Sequence, residues 1–238
     1  MTTPSWNTEE LTFDETSFSG RTRLFPLPNL VLYPHVVQPL HIYEERYREM
    51  VADALATDRL ITMSILEPGW EMDYDSRPPI APVGCLGKII THHRMDDGCF
   101  NLLLLGIRRA KISRELEPIR AFRQAEIELL TDCYTDDTSL DPELLRHNLL
   151  EEFRQHLPKE SYADPLDQIL SQHIPLGALT DLVSYTLPLT PDVKQKLLNE
   201  CQVELRAQLL LQQFRQHIQT DSARPASGPG FPPSFSAN

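Results

Sequence analysis

Short metal-type and redox-type cysteine spacings are missing from this sequence. Cys85, Cys99, Cys133 and Cys201 form no CxxC pair, which excludes zinc-ribbon and thioredoxin-like readings and fits a reduced, cytoplasmic setting. The first residues hold no basic stretch followed by an apolar one, so no secretory leader is expected. No run approaches the roughly 18 apolar residues that a spanning helix needs, so no membrane partner is expected. Glycine is sparse, with 9 residues against 20 prolines. Proline fixes φ and removes a donor, so stiff connections and sharply bounded elements are predicted.

Catalytic motifs are equally thin. A phosphate-cradling loop needs GxxxxGK followed by Ser or Thr, whereas GCLGKI at 84–89 has the wrong spacing and ends in Ile. No GxSxG elbow occurs, and none of the five lysines stands in a context that flags a serine–lysine dyad. His92, His93, Asp96 and Asp97 cluster in the chain, yet neighbouring strand residues face opposite ways, so no metal site is predicted there. Acid pairs such as Glu44 and Glu45, or Glu151 and Glu152, read as wet helix surface. No catalytic residue and no cofactor is assigned, and the chain is read as a non-enzyme.

Positive charge is also in short supply. Of the net −12, residues 1–20 carry −4 and residues 131–220 carry −7, while Arg108, Arg109 and Lys111 form the densest basic cluster. Such a field repels phosphate backbones, so nucleic acid is disfavoured as a partner.

What is present divides into blocks. Residues 1–20 lack sustained periodicity, and 221–238 are dominated by Pro, Gly, Ser and Ala; both are expected to be disordered. Residues 21–130 read as strands at 23–27, 36–42, 60–66, 83–93, 99–105, 110–116 and 122–130. One helix is predicted at 43–56, where Tyr43, Tyr47, Met50, Val51, Ala54 and Leu55 recur at three- and four-residue spacing. Asp96, Asp97 and Gly98 supply a hairpin turn. Short links and a single helix argue for a mostly antiparallel β-barrel or sandwich rather than a doubly wound sheet. Residues 131–220 read as a bundle of four helices. Asp141-Pro142, Asp164-Pro165 and Thr190-Pro191 each place a capping side chain before a proline at N1. A last helix is predicted from 191 to 217, with Leu198, Cys201, Leu205, Leu209 and Phe214 as its apolar stripe.

The stretch 25–47, FPLPNLVLYPHVVQPLHIYEERY, reads as strand, proline-directed loop, strand and helix start. Pro26, Pro28, Pro34 and Pro39 lack ladder donors, so this backbone is expected at a sheet edge or outside the sheet. An edge exposing Tyr33, Pro34, His35, Val36 and Val37 would suit capture of an extended peptide by strand addition. The other reading is that these side chains close one end of the barrel as core. Trp70 and Tyr74, in the loop 66–80, are further candidate contacts.

LVLYPHVVQPLHI, then VGCLGKIITHHRMDDGCFNLLLLGIRRAKI, then LPLTPDVKQKLLNECQVELRAQLLLQQF resemble, in order, the opening, the middle and the final helix of the N-terminal substrate-binding domain of Lon ATP-dependent proteases. The resemblance covers about residues 23–217. It implies an α+β fold: a PUA-like β-barrel with one helix, followed by an α-helical bundle. It also implies a non-catalytic module that recognises unfolded or extended polypeptides, as an adaptor or regulator in protein quality control, with a separate protease or self-association as further partners. IYEERYREMV is similar to stand-alone members of the family, and nothing in the chain resembles an ATPase module or a serine–lysine peptidase. Leu105 stands where the family often has Glu. PUA-like barrels elsewhere bind RNA, which makes RNA binding the alternative function.

Overall fold

The computed structural model describes residues 13–72, 74, 76–135, 140–156, 174–221 and 236–237. The chain separates into two compact units that meet in sequence at Leu129 and Leu130, with the segment around Ser236 belonging to the first.

The first unit holds β1 (Arg21–Leu27), β2 (Val37–Ile42), α1 (Glu45–Leu55), β3 (Leu60–Ile65), β4 (Val83–Arg94), β5 (Phe100–Glu115) and β6 (Arg123–Leu130), with Ser236–Ala237 as a two-residue β7. The sheet runs β4-β3-β1-β6-β5-β2-β7, and β4 also pairs with β5, so the first five strands return on themselves. The pairings of β1 with β6, β2 with β5, β3 with β4 and β4 with β5 are antiparallel. β1 and β3 pair in parallel, and the connection between them carries β2 and α1, as a crossover requires.

Several expectations are corrected. The segments 99–105 and 110–116 belong to the single 16-residue β5, because Gly106 continues the ladder instead of breaking it. α1 begins at Glu45, leaving Tyr43 outside it and exposed; its buried face is Tyr47, Met50, Val51 and Ala54. Residues 13–20 are ordered: Asp14 caps a short 3-10 turn by accepting from the Thr16 amide, and Phe13 and Phe18 meet edge to face at 5.8 Å. Both rings lie against the core cluster around Leu24, Leu86 and Ala110, and two aromatic rings supply apolar area enough to hold a short segment down. Residues 1–12 lie outside the described chain, as do 222–235 and 238.

α1 is fastened by a buried arginine. Arg23 on β1 donates to Asp53 at 2.6 Å, to Asp58 at 2.7 Å, to the Leu60 carbonyl at 3.1 Å and to Thr57 at 2.6 Å. A guanidinium with this many acceptors is buried without being left unpaired.

The second unit contains α2 (Pro142–His156), α3 (Leu176–Thr186), α4 (Pro191–Asn199) and α5 (Val203–Asp221). Asp141 accepts from the Glu143 amide at 2.9 Å, in line with its expected capping role. Thr190 precedes Pro191 at the start of α4, but its side chain makes no cap bond. The expected Asp164-Pro165 start lies outside the described residues. The long helix predicted from 191 to 217 is broken. Cys133 donates to the Cys201 carbonyl at 2.9 Å and accepts from Val203 at 3.0 Å, drawing the intervening residues out of the helix. The break shifts the helical phase: Val203, Ala207, Leu210 and Phe214 are buried, while Leu205 and Leu209 are each 37% exposed. The predicted stripe therefore holds only at Leu198 and Phe214 among its leucine and phenylalanine positions.

Arg206 sits at the centre of this unit, fully buried. It donates to Asp132 at 2.6 and 3.1 Å, to Thr180 at 2.8 Å and to the Glu200 carbonyl at 2.7 Å, with the equally buried Asp181 at 3.8 Å.

Candidate functional site

β2 presents two different faces. Gln38, Leu40 and Ile42 point into the core, while Val37, Pro39 and His41 point outward. Opposite them on β5 stand Leu105, Leu103 and Asn101, and beyond these on β4 stand Lys88, Thr91 and His93. Directly opposed residues share a face, so three rows cross the outer surface: Val37–Leu105–Lys88, Pro39–Leu103–Thr91 and His41–Asn101–His93. The first two rows are apolar over β2 and β5. Val37 is 40% exposed, and Pro39, Leu103 and Leu105 are half-buried. The third row is polar: His41 Nδ1 lies 2.7 Å from Asn101 Oδ1, and the His41 ring stacks on Tyr43 at 6.2 Å.

The backbone of β2 adds a second feature. Gly106 donates to the Val36 carbonyl at 2.8 Å. Antiparallel ladders alternate, so Gln38, Leu40 and Ile42 turn their backbone groups to β5 while Val37, Pro39 and His41 turn theirs to the opposite side. Pro39 fits there because it has no N–H to offer a ladder. Ser236–Ala237 pair in parallel with Leu40 and His41 on that side.

The predicted contacts fall differently from expectation. Tyr33 is 0% exposed, Val36 is 5% exposed and Pro34 is buried, so these three close the core and do not form an accessible rim. His35, at φ 65°, and Val37 are exposed. The cause is a close crossing at Gly106. His35 donates to its carbonyl at 2.9 Å, and a Cβ on Gly106 would stand 1.9 Å from the Tyr33 carbonyl oxygen. Trp70 and Tyr74, both half-buried, meet edge to face at 5.4 Å. Tyr74 Oη donates to Glu44 at 2.5 Å, and the Arg46 guanidinium lies 4.7 Å from the ring centres of both Tyr47 and Tyr74. Burial, followed by the bond to Glu44, pushes the Tyr74 hydroxyl above its usual range, and burial pushes Tyr47 up to about 12. These aromatics fasten the loop to the start of α1.

Leu103 and Leu105 escaped the sequence reading, although their signal was present. Four consecutive leucines at 102–105 in a strand must place two on each face. Among the described residues, no group of His, Cys, Asp or Glu could hold a metal ion, and no helix is long and apolar enough to cross a membrane.

The fold is α+β with a mixed sheet, and a half-exposed apolar face runs across β2 and β5. Residues 21–215 match the family described as the ATP-dependent protease La (LON) substrate-binding domain, and the chain belongs to that family. It is 26% identical over 212 residues to a Lon protease of Cytophaga hutchinsonii, covering 89% of this chain and 26% of that protein. It is 28% identical over 199 residues to Lon protease 1 of Syntrophobacter fumaroxidans, covering 82% and 24% respectively. The chain thus spans about a quarter of the length of these curated relatives. Among solved structures, it resembles a Lon N-terminal domain protein from Xanthomonas campestris, with a TM-score of 0.60, 23% identity, and coverage of 81% of this chain and 97% of that one. It also resembles the N-terminal domain of a Mycobacterium avium complex Lon protease, with a TM-score of 0.64, 20% identity, and coverage of 83% and 99%. At these identities the likeness establishes the fold.

Proposed function

We infer that this protein binds unfolded or extended polypeptide segments without cleaving them, as an adaptor or regulator in protein quality control, and that the segment lies along β2. The observation that carries this reading is the coincidence of two features on one strand. β2 turns the backbone groups of Val37, Pro39 and His41 away from β5, towards the side where Ser236–Ala237 pair with Leu40 and His41, and it carries half-exposed apolar side chains continuous with Leu103 and Leu105. Main-chain pairing supplies affinity with little regard to sequence, while a neighbouring apolar face selects chains whose hydrophobic residues are uncovered. A folded protein offers neither, because its strands are paired and its apolar residues buried. A separate protease would receive or compete for the same segments.

The test uses reduced, carboxymethylated α-lactalbumin as a permanently unfolded probe. Val37→Asp and Leu103→Asp each set a carboxylate in the apolar rows, and each is expected to weaken binding by about tenfold or more, on the order of 1.4 kcal/mol. Native-like circular dichroism establishes that each variant is folded. Wild-type affinity in both folded variants would remove β2 and its outer face as the binding surface.

A further inference from the structure

Away from β2, the first unit holds two apolar side chains in water. Met72 is 94% exposed and Ile119 82%, the two highest values for large apolar side chains among the described residues. Each sits on a loop that is fastened down. Arg77, from the loop between β3 and β4, donates to the Leu116 carbonyl at 3.0 Å, and Arg123 donates to the Pro78 carbonyl at 2.8 Å. The loop carrying Met72 and the loop carrying Ile119 are therefore tied together at their bases. Both also reach α1: Tyr74 donates to Glu44, Arg46 donates to the Tyr74 carbonyl at 3.2 Å, and Arg120 lies 3.5 Å from Asp53. Glu44, Glu45, Arg46, Glu49 and Ala121 line an open depression of about 430 Å³ there.

The charge of this surface is one-sided. Arg46 pairs with Glu44 at 2.9 Å, Arg77 with Glu115 at 3.3 Å and Arg120 with Asp53. Glu45, Glu49, Glu71 and Glu117 are all exposed and form no ion pair among the described residues. We propose that this surface docks a partner protein through a segment in which lysine or arginine stands among apolar side chains. Met72 and Ile119 meet its apolar positions, and the four carboxylates face its cations. The chemistry selects that class of partner. Nucleic acid and anionic lipid would meet uncompensated carboxylates, and a second copy of the surface would bring like charges together. An apolar segment without cations would desolvate the carboxylates and leave them unpaired. Loops already held by hydrogen bonds lose little freedom on docking, so more of the contact energy appears as affinity. The surface shares no residue with the β2 face, and the proposal stands independently of the reading given above.

The test measures fluorescence anisotropy of a labelled peptide built from Lys-Leu-Leu repeats, titrated with the full chain at low and at high salt. Glu-Leu-Leu and Lys-Ser-Ser repeats of the same length serve as controls, and each is expected to bind at least about tenfold more weakly. The double variant Met72→Ser, Ile119→Ser is expected to lose about tenfold or more in affinity. Glu45→Gln with Glu49→Gln is expected to lose about threefold and to show a shallower salt dependence. All four side chains are exposed, and circular dichroism establishes that both variants are folded. Val37→Ser, on the β2 face, is expected to bind the peptide as wild type does. Wild-type affinity in the folded Met72 and Ile119 variant, or no binding of the Lys-Leu-Leu peptide to wild type, overturns the docking surface. Loss of binding in Val37→Ser with none in the loop variants also overturns it, by assigning the peptide to β2. None of these outcomes alters the reading of β2, which is tested separately with α-lactalbumin.

Discussion

Replacing Gly106 by alanine tests the close crossing that buries Tyr33 and Val36 and delivers Val37 to the surface. The added Cβ would stand 1.9 Å from the Tyr33 carbonyl oxygen and 2.8 Å from its carbon, with the Cys85 sulfur at 3.2 Å. Relief demands that backbone move by more than an ångström, since real Cβ contacts essentially never fall below 3.0 Å. The same movement breaks the bonds from His35 to Gly106 and from Gly106 to Val36, each worth about 0.5–1.5 kcal/mol. Overpacking adds about 1–3 kcal/mol, and the reduced freedom of the unfolded chain returns about 0.4–1 kcal/mol. The net loss is about 1–5 kcal/mol. With a urea dependence of about 2 kcal/mol per molar, the unfolding midpoint followed by circular dichroism should drop by about 0.5–2.5 M. Gly69→Ala is the control: Gly69 has φ 92° with nothing within 4 Å of a built Cβ, so it should lose only the backbone strain, about 1–2 kcal/mol. A Gly106→Ala protein that unfolds within about 0.3 M of wild type, with unchanged exchange at the His35 amide, would refute the crossing.

Arg206→Met should destabilise the helical unit by about 3–5 kcal/mol in urea unfolding, because it removes the buried cation beside Asp181 together with the bonds to Asp132, Thr180 and the Glu200 carbonyl. Lys194 is held down to about 8 by burial, with its ammonium donating to the Tyr185 carbonyl at 2.9 Å. The unfolded chain therefore binds the extra proton between pH 8 and 10, and stability of the helical unit should rise with pH across that window. Lys194→Met should flatten the rise in thermal scans, and an unaltered slope would contradict the burial. Tyr74→Phe removes the bond to Glu44 and should cost about 1 kcal/mol, with a double-mutant cycle against Glu44→Gln returning a coupling of similar size.

The division into a strand-rich block and a helix-rich block was legible because each period is local: alternation marks β2, and spacing of three and four marks Tyr47, Met50, Val51 and Ala54. The family pattern was legible for a related reason, since prolines, the Asp-Gly turn and Gly106 constrain backbone whatever surrounds them. Periodicity misled wherever a distant partner intervened. Leu198 through Phe214 keep helical spacing across a break that exists because Cys133 pairs with residues 201–203, some seventy positions away. The candidate site divides in the same manner. Pro39 faces away from β5, as a residue without an N–H for that ladder must. Which of Tyr33, Pro34, His35, Val36 and Val37 reach solvent was settled by the crossing over Gly106, and the company that Val37 and Pro39 keep, Leu105 and Leu103, was settled by strand register. Local chemistry determines what a short segment can do with its own backbone; exposure and neighbours depend on contacts made between segments far apart in the chain, which only the assembled tertiary structure brings together.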